Sequence, residues 1–227
     1  MVKIDNVYQK VLAIINKEQR GYVTPQEFNL FADHAQMDIF EQYFYDINQL
    51  SRVPGNDTDY SDIINNLEEK IAIFEKIEQL TIFNDPHYKK PDDVYRVSSL
   101  QNITSGEIER VTQKEYLNIQ LSPLAKPTIK RPVYTDSAQG FRVYPNIRTP
   151  NFLHYIKRPI EPKWGYVVVG EHALYDPDPS VEFELHASEE NNLVIKILAL
   201  AGLSIKDPSV YQSAVGEDNK NIQQEKA

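Results

Sequence analysis

Apolar residues recur at helical spacing through the first 80 positions. Ile4, Val7, Val11, Ile14 and Ile15 form one stripe, Phe28, Phe31, Ala35, Ile39, Tyr43, Ile47 and Leu50 a second, and Ile63, Leu67, Ile71, Phe74 and Ile77 a third. Three amphipathic helices are predicted. The second opens at Thr24-Pro25-Gln26-Glu27, where a threonine cap, a proline at the first helical position and a glutamate three residues on make a capping box. Pro54-Gly55-Asn56-Asp57 is a turn cluster that lets the chain reverse after it. Residues 1–80 therefore read as an antiparallel helical hairpin or small bundle.

The pattern changes near residue 80. Eleven of the 14 prolines lie between Pro86 and Pro179, among short β-branched and aromatic runs: Val94–Val97, Pro132–Thr135, Phe141–Tyr144, Phe152–Ile156, Gly165–Val169 and Val181–Leu185. These predict an antiparallel sheet or small sandwich across 81–187, with extended arms. A second capping box, Thr112-Gln113-Lys114-Glu115, places a short helix at 113–121. From 188 to 227, Ser188 is positioned to cap a helix over Glu189–Ala201 that packs on the bundle. Gly202 is its expected stop, and a polar tail follows from Gly216. The fold class is α+β, and no repeat at solenoid spacing occurs.

Composition narrows the function. The 227 residues carry 24 basic and 33 acidic side chains, a net of -9, which disfavours tight nucleic-acid binding. There is no cysteine, so disulfides, thiolate metal sites and cysteine nucleophiles are excluded. The start lacks the layout of a signal peptide, and no stretch approaches the roughly 20 apolar residues of a membrane span. A soluble product made without a secretion signal, and with no membrane partner, is expected.

Candidate chemistry is sparse. Asn16–Glu27 has a glycine sixth and a glutamate twelfth, as an EF-hand calcium loop does, but offers Asn16, Glu18 and the cation Arg20 at its first, third and fifth places. An ordinary helix-turn-helix is the simpler reading, with Glu27 capping and Gly21 turning. The histidines His34, His87, His154, His172 and His186 show no metal-ligand spacing. Asp33, Asp38, Glu41 and Asp46 on the second helix, and Glu68, Glu69, Glu75 and Glu78 on the third, read as solvated faces. No nucleophile elbow or phosphate-cradling glycine loop is present. No catalytic, cofactor-binding or metal residue is therefore expected, and no cofactor. Tyr134, Phe141, Tyr144, Phe152, Tyr155, Trp164 and Tyr166 could build a sheet core, a protein interface or a carbohydrate platform. Leu124–Pro132, punctuated by proline and carrying three cations, fits an arm that lies on a neighbouring subunit.

Two stretches also carry a family resemblance. Asn16–Gln36 with Ile39–Phe44, and Glu189–Gly202 with Asp207-Pro208, resemble virion structural proteins of short-tailed, crAss-like bacteriophages. The resemblance covers about a quarter of the chain. It implies a head-tail connector or tail ring protein: a helical bundle carrying a β domain, closed into a ring, typically a dodecamer, beneath the portal and around the DNA channel. The implied partners are further copies of the chain, the portal protein and other tail rings, with DNA passing through the lumen without specific binding. The alternatives are an EF-hand-like calcium module using residues 16–27 and a carbohydrate-binding accessory virion protein using the central aromatics.

Overall fold

The computed structural model describes residues 1–17, 23–50, 58–84, 86–147, 149–170, 172–205, 215–217 and 219–220. The turn cluster at 54–57, the stretch 18–22 within the calcium-loop resemblance, Asp207-Pro208 and most of the polar tail lie outside them. Among the described residues the main α-helices are α1 (Ile4–Lys17), α2 (Pro25–Leu50), α3 (Thr58–Ala72), α4 (Gln113–Leu121) and α5 (Glu190–Ile205), the last preceded by a 3-10 turn at Ala187–Glu189. The described residues also form ten strands: β1 (Glu75–Gln79), β2 (Ile82–Asn84), β3 (His87–Tyr88), β4 (Val94–Asn102), β5 (Gly106–Arg110), β6 (Val133–Ser137), β7 (Gly140–Tyr144), β8 (Asn151–Lys157), β9 (Tyr166–Val169) and β10 (His172–Tyr175). The α+β class predicted from the sequence is the one observed. The chain divides into two compact units, Met1–Ile73 with Pro159–Ala227, and Phe74–Arg158.

In the first unit α1, α2, α3 and α5 bury their apolar stripes together. Val7, Val11, Phe28, Phe40, Ile71, Leu193 and Ile197 are all within its core. The start of α2 is as the sequence predicts: Glu27 N–H donates to Thr24 Oγ1 at 3.3 Å, and Glu27 Oε2 accepts from the Thr24 amide at 2.9 Å. Residues 159–186 belong to this unit because polar side chains of the helices satisfy their backbone. The buried Gln36 amide donates to the Ile160 carbonyl at 2.8 Å and accepts from Glu184 N–H at 3.1 Å, while Glu184 Oε2 accepts from Ile160 N–H at 3.0 Å. Trp164 packs on Tyr8 with ring centroids 4.1 Å apart and donates from Nε1 to Asp5 at 3.0 Å. Ion pairs Lys70–Glu189 at 2.7 Å and Lys196–Asp38 at 2.6 Å tie α3 and α2 to the C-terminal helix and its opening turn.

The second unit is an eight-stranded sheet in the order β1-β8-β4-β5-β6-β7-β3-β2. Leu80, Tyr88, Leu100, Ile108, Tyr134, Phe141, Val143, Leu153 and Tyr155 form its core. Gly140 turns β6 into β7 at φ +113°, beneath the Tyr88 carbonyl; a Cβ there would lie 2.1 Å from that oxygen.

Four expectations need correction. The sheet is mixed, not antiparallel, because β5 and β6 run parallel and α4 forms the crossover between them. The third helix stops at Ala72, so Phe74 and Ile77 leave the helical stripe. Phe74 is buried, and its carbonyl accepts from Lys157 N–H at 2.9 Å as the chain enters β1, where Ile77 stands opposite His154. Val181–Leu185 is not a strand and forms only the isolated bridges Lys163↔Val181 and Val2↔Phe183; its alternation seats Phe183 and Leu185 in a helical core. Finally, Ser188 lies in a 3-10 turn capped by the His186 ring, whose Nδ1 accepts from Ser188 N–H at 3.3 Å, and the C-terminal helix begins after it at Glu190 and runs through a buried Gly202 to Ile205. Strands β1, β2, β3, β5 and β10 are additional to the predicted runs.

Candidate functional site

The stretch from Thr112 to Arg131 is the least buried ordered segment of the second unit. No residue in it is buried. Helix α4 forms because its start is closed twice: Glu115 N–H donates to Thr112 Oγ1 at 3.3 Å, and Glu115 Oε2 accepts from Thr112 N–H at 2.7 Å. The Thr112 backbone N–H first, and then the Thr112 side chain, hold the Glu115 carboxyl below its ordinary value. Its other anchor is aromatic. Tyr116 stacks on Tyr144 at 3.7 Å, and the Arg142 guanidinium lies 4.9 Å from the Tyr144 ring centre. Ser122 N–H closes the end of α4 on the Ile119 carbonyl at 3.1 Å.

Beyond α4 the predicted arm is built from turns. Lys126 N–H reaches the Ser122 carbonyl at 3.1 Å, and Thr128 and Arg131 exchange backbone bonds of 3.2 and 3.0 Å, which puts Ile129 and Lys130 at a tip. Leu121, Leu124 and Ile129 are 85%, 98% and 65% exposed. Burying such side chains is worth about 1.5–3 kcal/mol each, and a helix of nine residues is marginal without a packed face. An ordered segment with these properties is suited to contact with another molecule.

A second such feature belongs to the first unit. Strands β9 and β10 pair only with each other. Trp164 holds the base of this hairpin through Tyr166 at 5.7 Å and Tyr175 at 5.9 Å, while Val167, Val168, Val169 and Leu174 are exposed. Three consecutive exposed valines leave both faces of the hairpin wet, and its two edges have no further strand among the described residues.

A charged cluster of the second unit joins Lys76, Glu78, Asp93 and Tyr155. The Tyr155 hydroxyl lies 2.9 Å from Asp93 Oδ1 and 3.0 Å from Glu78 Oε2, and Lys76 Nζ lies 3.0 and 3.2 Å from the same two carboxylates. Burial, seconded by the carboxylates and opposed by Lys76, pushes the phenol up to about 12. Tyr155, Asp93 and Glu78 in turn hold the Lys76 proton more tightly. Burial raises Asp93, but Lys76 and Tyr155 outweigh it and bring the carboxyl below its ordinary value. An adjoining cleft of about 310 Å³ is lined by Lys76, Glu78, Lys89, Pro91, Asp92 and Asp93. With every group of the quartet satisfied by another, this cluster clamps β1 to β8 and to the start of β4. A wider groove of about 810 Å³ runs between α1 and α5, past Lys10, Ile14, Ile195 and Leu198.

The residues singled out from the sequence do not converge. Glu27 is held by Thr24, whose backbone and then side-chain bonds lower its pKa; Glu18, Arg20 and Gly21 lie outside the described residues. Among the described residues no three histidine or carboxylate side chains are grouped to hold a metal ion. His154 contacts Gln101 at 3.2 Å and His186 caps a turn. Asp46 accepts from Gln42 at 2.9 Å, and Glu75 and Glu78 stand on β1, not on the third helix. Of the central aromatics, Tyr134, Phe141, Tyr155 and Trp164 are buried, while Tyr144, Phe152 and Tyr166 are half-buried. No helix among the described residues is long and apolar enough to cross a membrane.

Charge is divided unequally. Phe74–Arg158 holds 13 basic and 9 acidic residues, a net of +4; the remainder holds 11 and 24, a net of -13. The whole-chain value of -9 conceals this.

No protein-family model matches the chain, and no curated protein matches it.

Proposed function

We propose that the chain is a structural component of a bacteriophage virion, a subunit that closes into a ring in the head-tail connector or tail barrel, beneath the portal and around the DNA channel. The observation that carries this is the segment Thr112–Arg131, in which no residue is buried, with its exposed leucines and isoleucine. A chain that acts alone in water gains nothing from such an arm, whereas a subunit gains an interface. The exposed β9–β10 hairpin, the opposed charge of the two units and the resemblance of the two sequence stretches point the same way. The proposed partners are further copies of the chain, the portal protein and neighbouring tail rings, and the proposed location is the virion. The reading requires no reactive group, metal or cofactor.

The test is the mass of the purified chain, alone and mixed with its portal protein, by native mass spectrometry and light scattering. A closed oligomer in either preparation, seen as a ring by electron microscopy, is expected. A chain that stays monomeric and does not bind portal overturns the reading.

A further inference from the structure

The arm after α4 is cationic as well as apolar: Lys126, Lys130 and Arg131 accompany Leu121, Leu124 and Ile129. The outward stripe of α2 has the complementary character. Leu30, Asp33, Met37, Glu41 and Tyr45 follow one another at spacings of three and four, with Leu30 71% and Tyr45 59% exposed at the two ends of the carboxylates. Asp38 beside them is already paired with Lys196, so Asp33 and Glu41 carry the stripe's charge. Fifteen residues of helix separate Leu30 from Tyr45, about 22 Å.

Resting on the ring reading above, we infer that the arm Leu121–Arg131 of one copy docks along the α2 stripe Leu30–Tyr45 of the next copy. The charge division selects this pairing. An arm-to-arm contact sets cations against cations within units of net +4, while an arm-to-α2 contact joins a +4 unit to a -13 unit. The contact is heterologous, since the donating and receiving surfaces differ, and heterologous contacts are those that propagate into closed rings. A nucleic-acid occupant fits less well. Three cations displace few counterions, and Leu121, Leu124 and Ile129 would stay in water against a phosphate backbone.

The absence of cysteine makes a direct test possible. Two single variants, Leu124→Cys and Leu30→Cys, are mixed under whichever condition, chain alone or chain with portal, gives an assembly, and treated with a short bis-maleimide. A cross-linked heterodimer is expected, and none when Ile103→Cys, an exposed position off the arm, replaces Leu124→Cys. In parallel, the triple variant Lys126→Glu, Lys130→Glu, Arg131→Glu is expected to weaken assembly at least about tenfold. Adding Asp33→Lys and Glu41→Lys to the same chain restores it. If the parent chain assembles and the triple variant assembles equally well, the docking is overturned and the ring reading survives. If the parent chain never assembles, both fall. If the triple variant loses DNA retention while assembling normally, the arm belongs to nucleic acid and the docking is overturned.

Discussion

Trp164 is 1% exposed, stacks against Tyr8, and is held at both ends of its own backbone by Asn29: its N–H donates to Oδ1 at 2.8 Å and its carbonyl accepts from Nδ2 at 3.3 Å. Truncating a buried aromatic so fixed costs about 3–5 kcal/mol. Trp164→Ala is therefore expected to lower the denaturant midpoint by that equivalent, followed by circular dichroism, since the only tryptophan is gone. Tyr155 gives a pH-dependent signature. Its phenol is pushed up to about 12, above the ordinary value of 10, so the folded chain keeps a proton that the unfolded chain loses first. The associated stability is present below pH 10 and is lost as pH rises through about 12. In Tyr155→Phe that component of the alkaline fall should vanish, measured as the difference between the two unfolding curves across this window. Equal curves would remove the phenol from the clamp.

At the scale of elements, the two capping boxes predict opposite balances of global and local effect. Thr24 opens a helix whose face is deep in a core, so Thr24→Ala should cost about 1 kcal/mol of global stability. Thr112 opens α4, which buries nothing, so Thr112→Ala should leave the unfolding midpoint nearly unmoved and instead accelerate amide exchange through Gln113–Leu121. Glu27 and Glu115 both sit below the ordinary 4.5, so their contribution is present above that value and lost as pH falls through the lowered one. Both boxes were legible in the sequence because every participant lies within four residues. The limits of α4 were legible for the same reason. What the sequence hid was set by distant partners. Phe74 and Ile77 continue a helical period, yet β8 offers a strand edge that claims the backbone after Ala72. Val181–Leu185 alternates as a strand would, but there the Gln36 side chain accepts from the Glu184 N–H in place of a ladder partner. The parallel β5–β6 pair could not be read from runs of residues that carry no direction. The arm was visible from its prolines and cations; the wetness of α4 beside it was not, since Tyr116 and Ile119 look equally suited to a core.

For the whole molecule, the arm and its charge make assembly measurable by simple means. Trypsin should cut the unassembled chain after Lys130, at an exposed tip, while Lys126 and Arg131 are each shielded by a following proline. Assembly should protect that bond, and equal cleavage before and after would place the arm outside any interface. Association driven by opposed units should also slow as salt shortens the screening length from about 10 Å at 0.1 M to about 3 Å at 1 M, read as a falling on-rate. The discontinuity of the first unit carries a further consequence during synthesis. Phe74–Arg158 leaves the ribosome as one unbroken stretch, while α1, α2 and α3 must wait for α5. At about 5–20 residues per second that interval is on the order of ten seconds. Throughout it α1 and α2 lack the helix that packs against both, so these early helices stay incompletely covered and open to a chaperone.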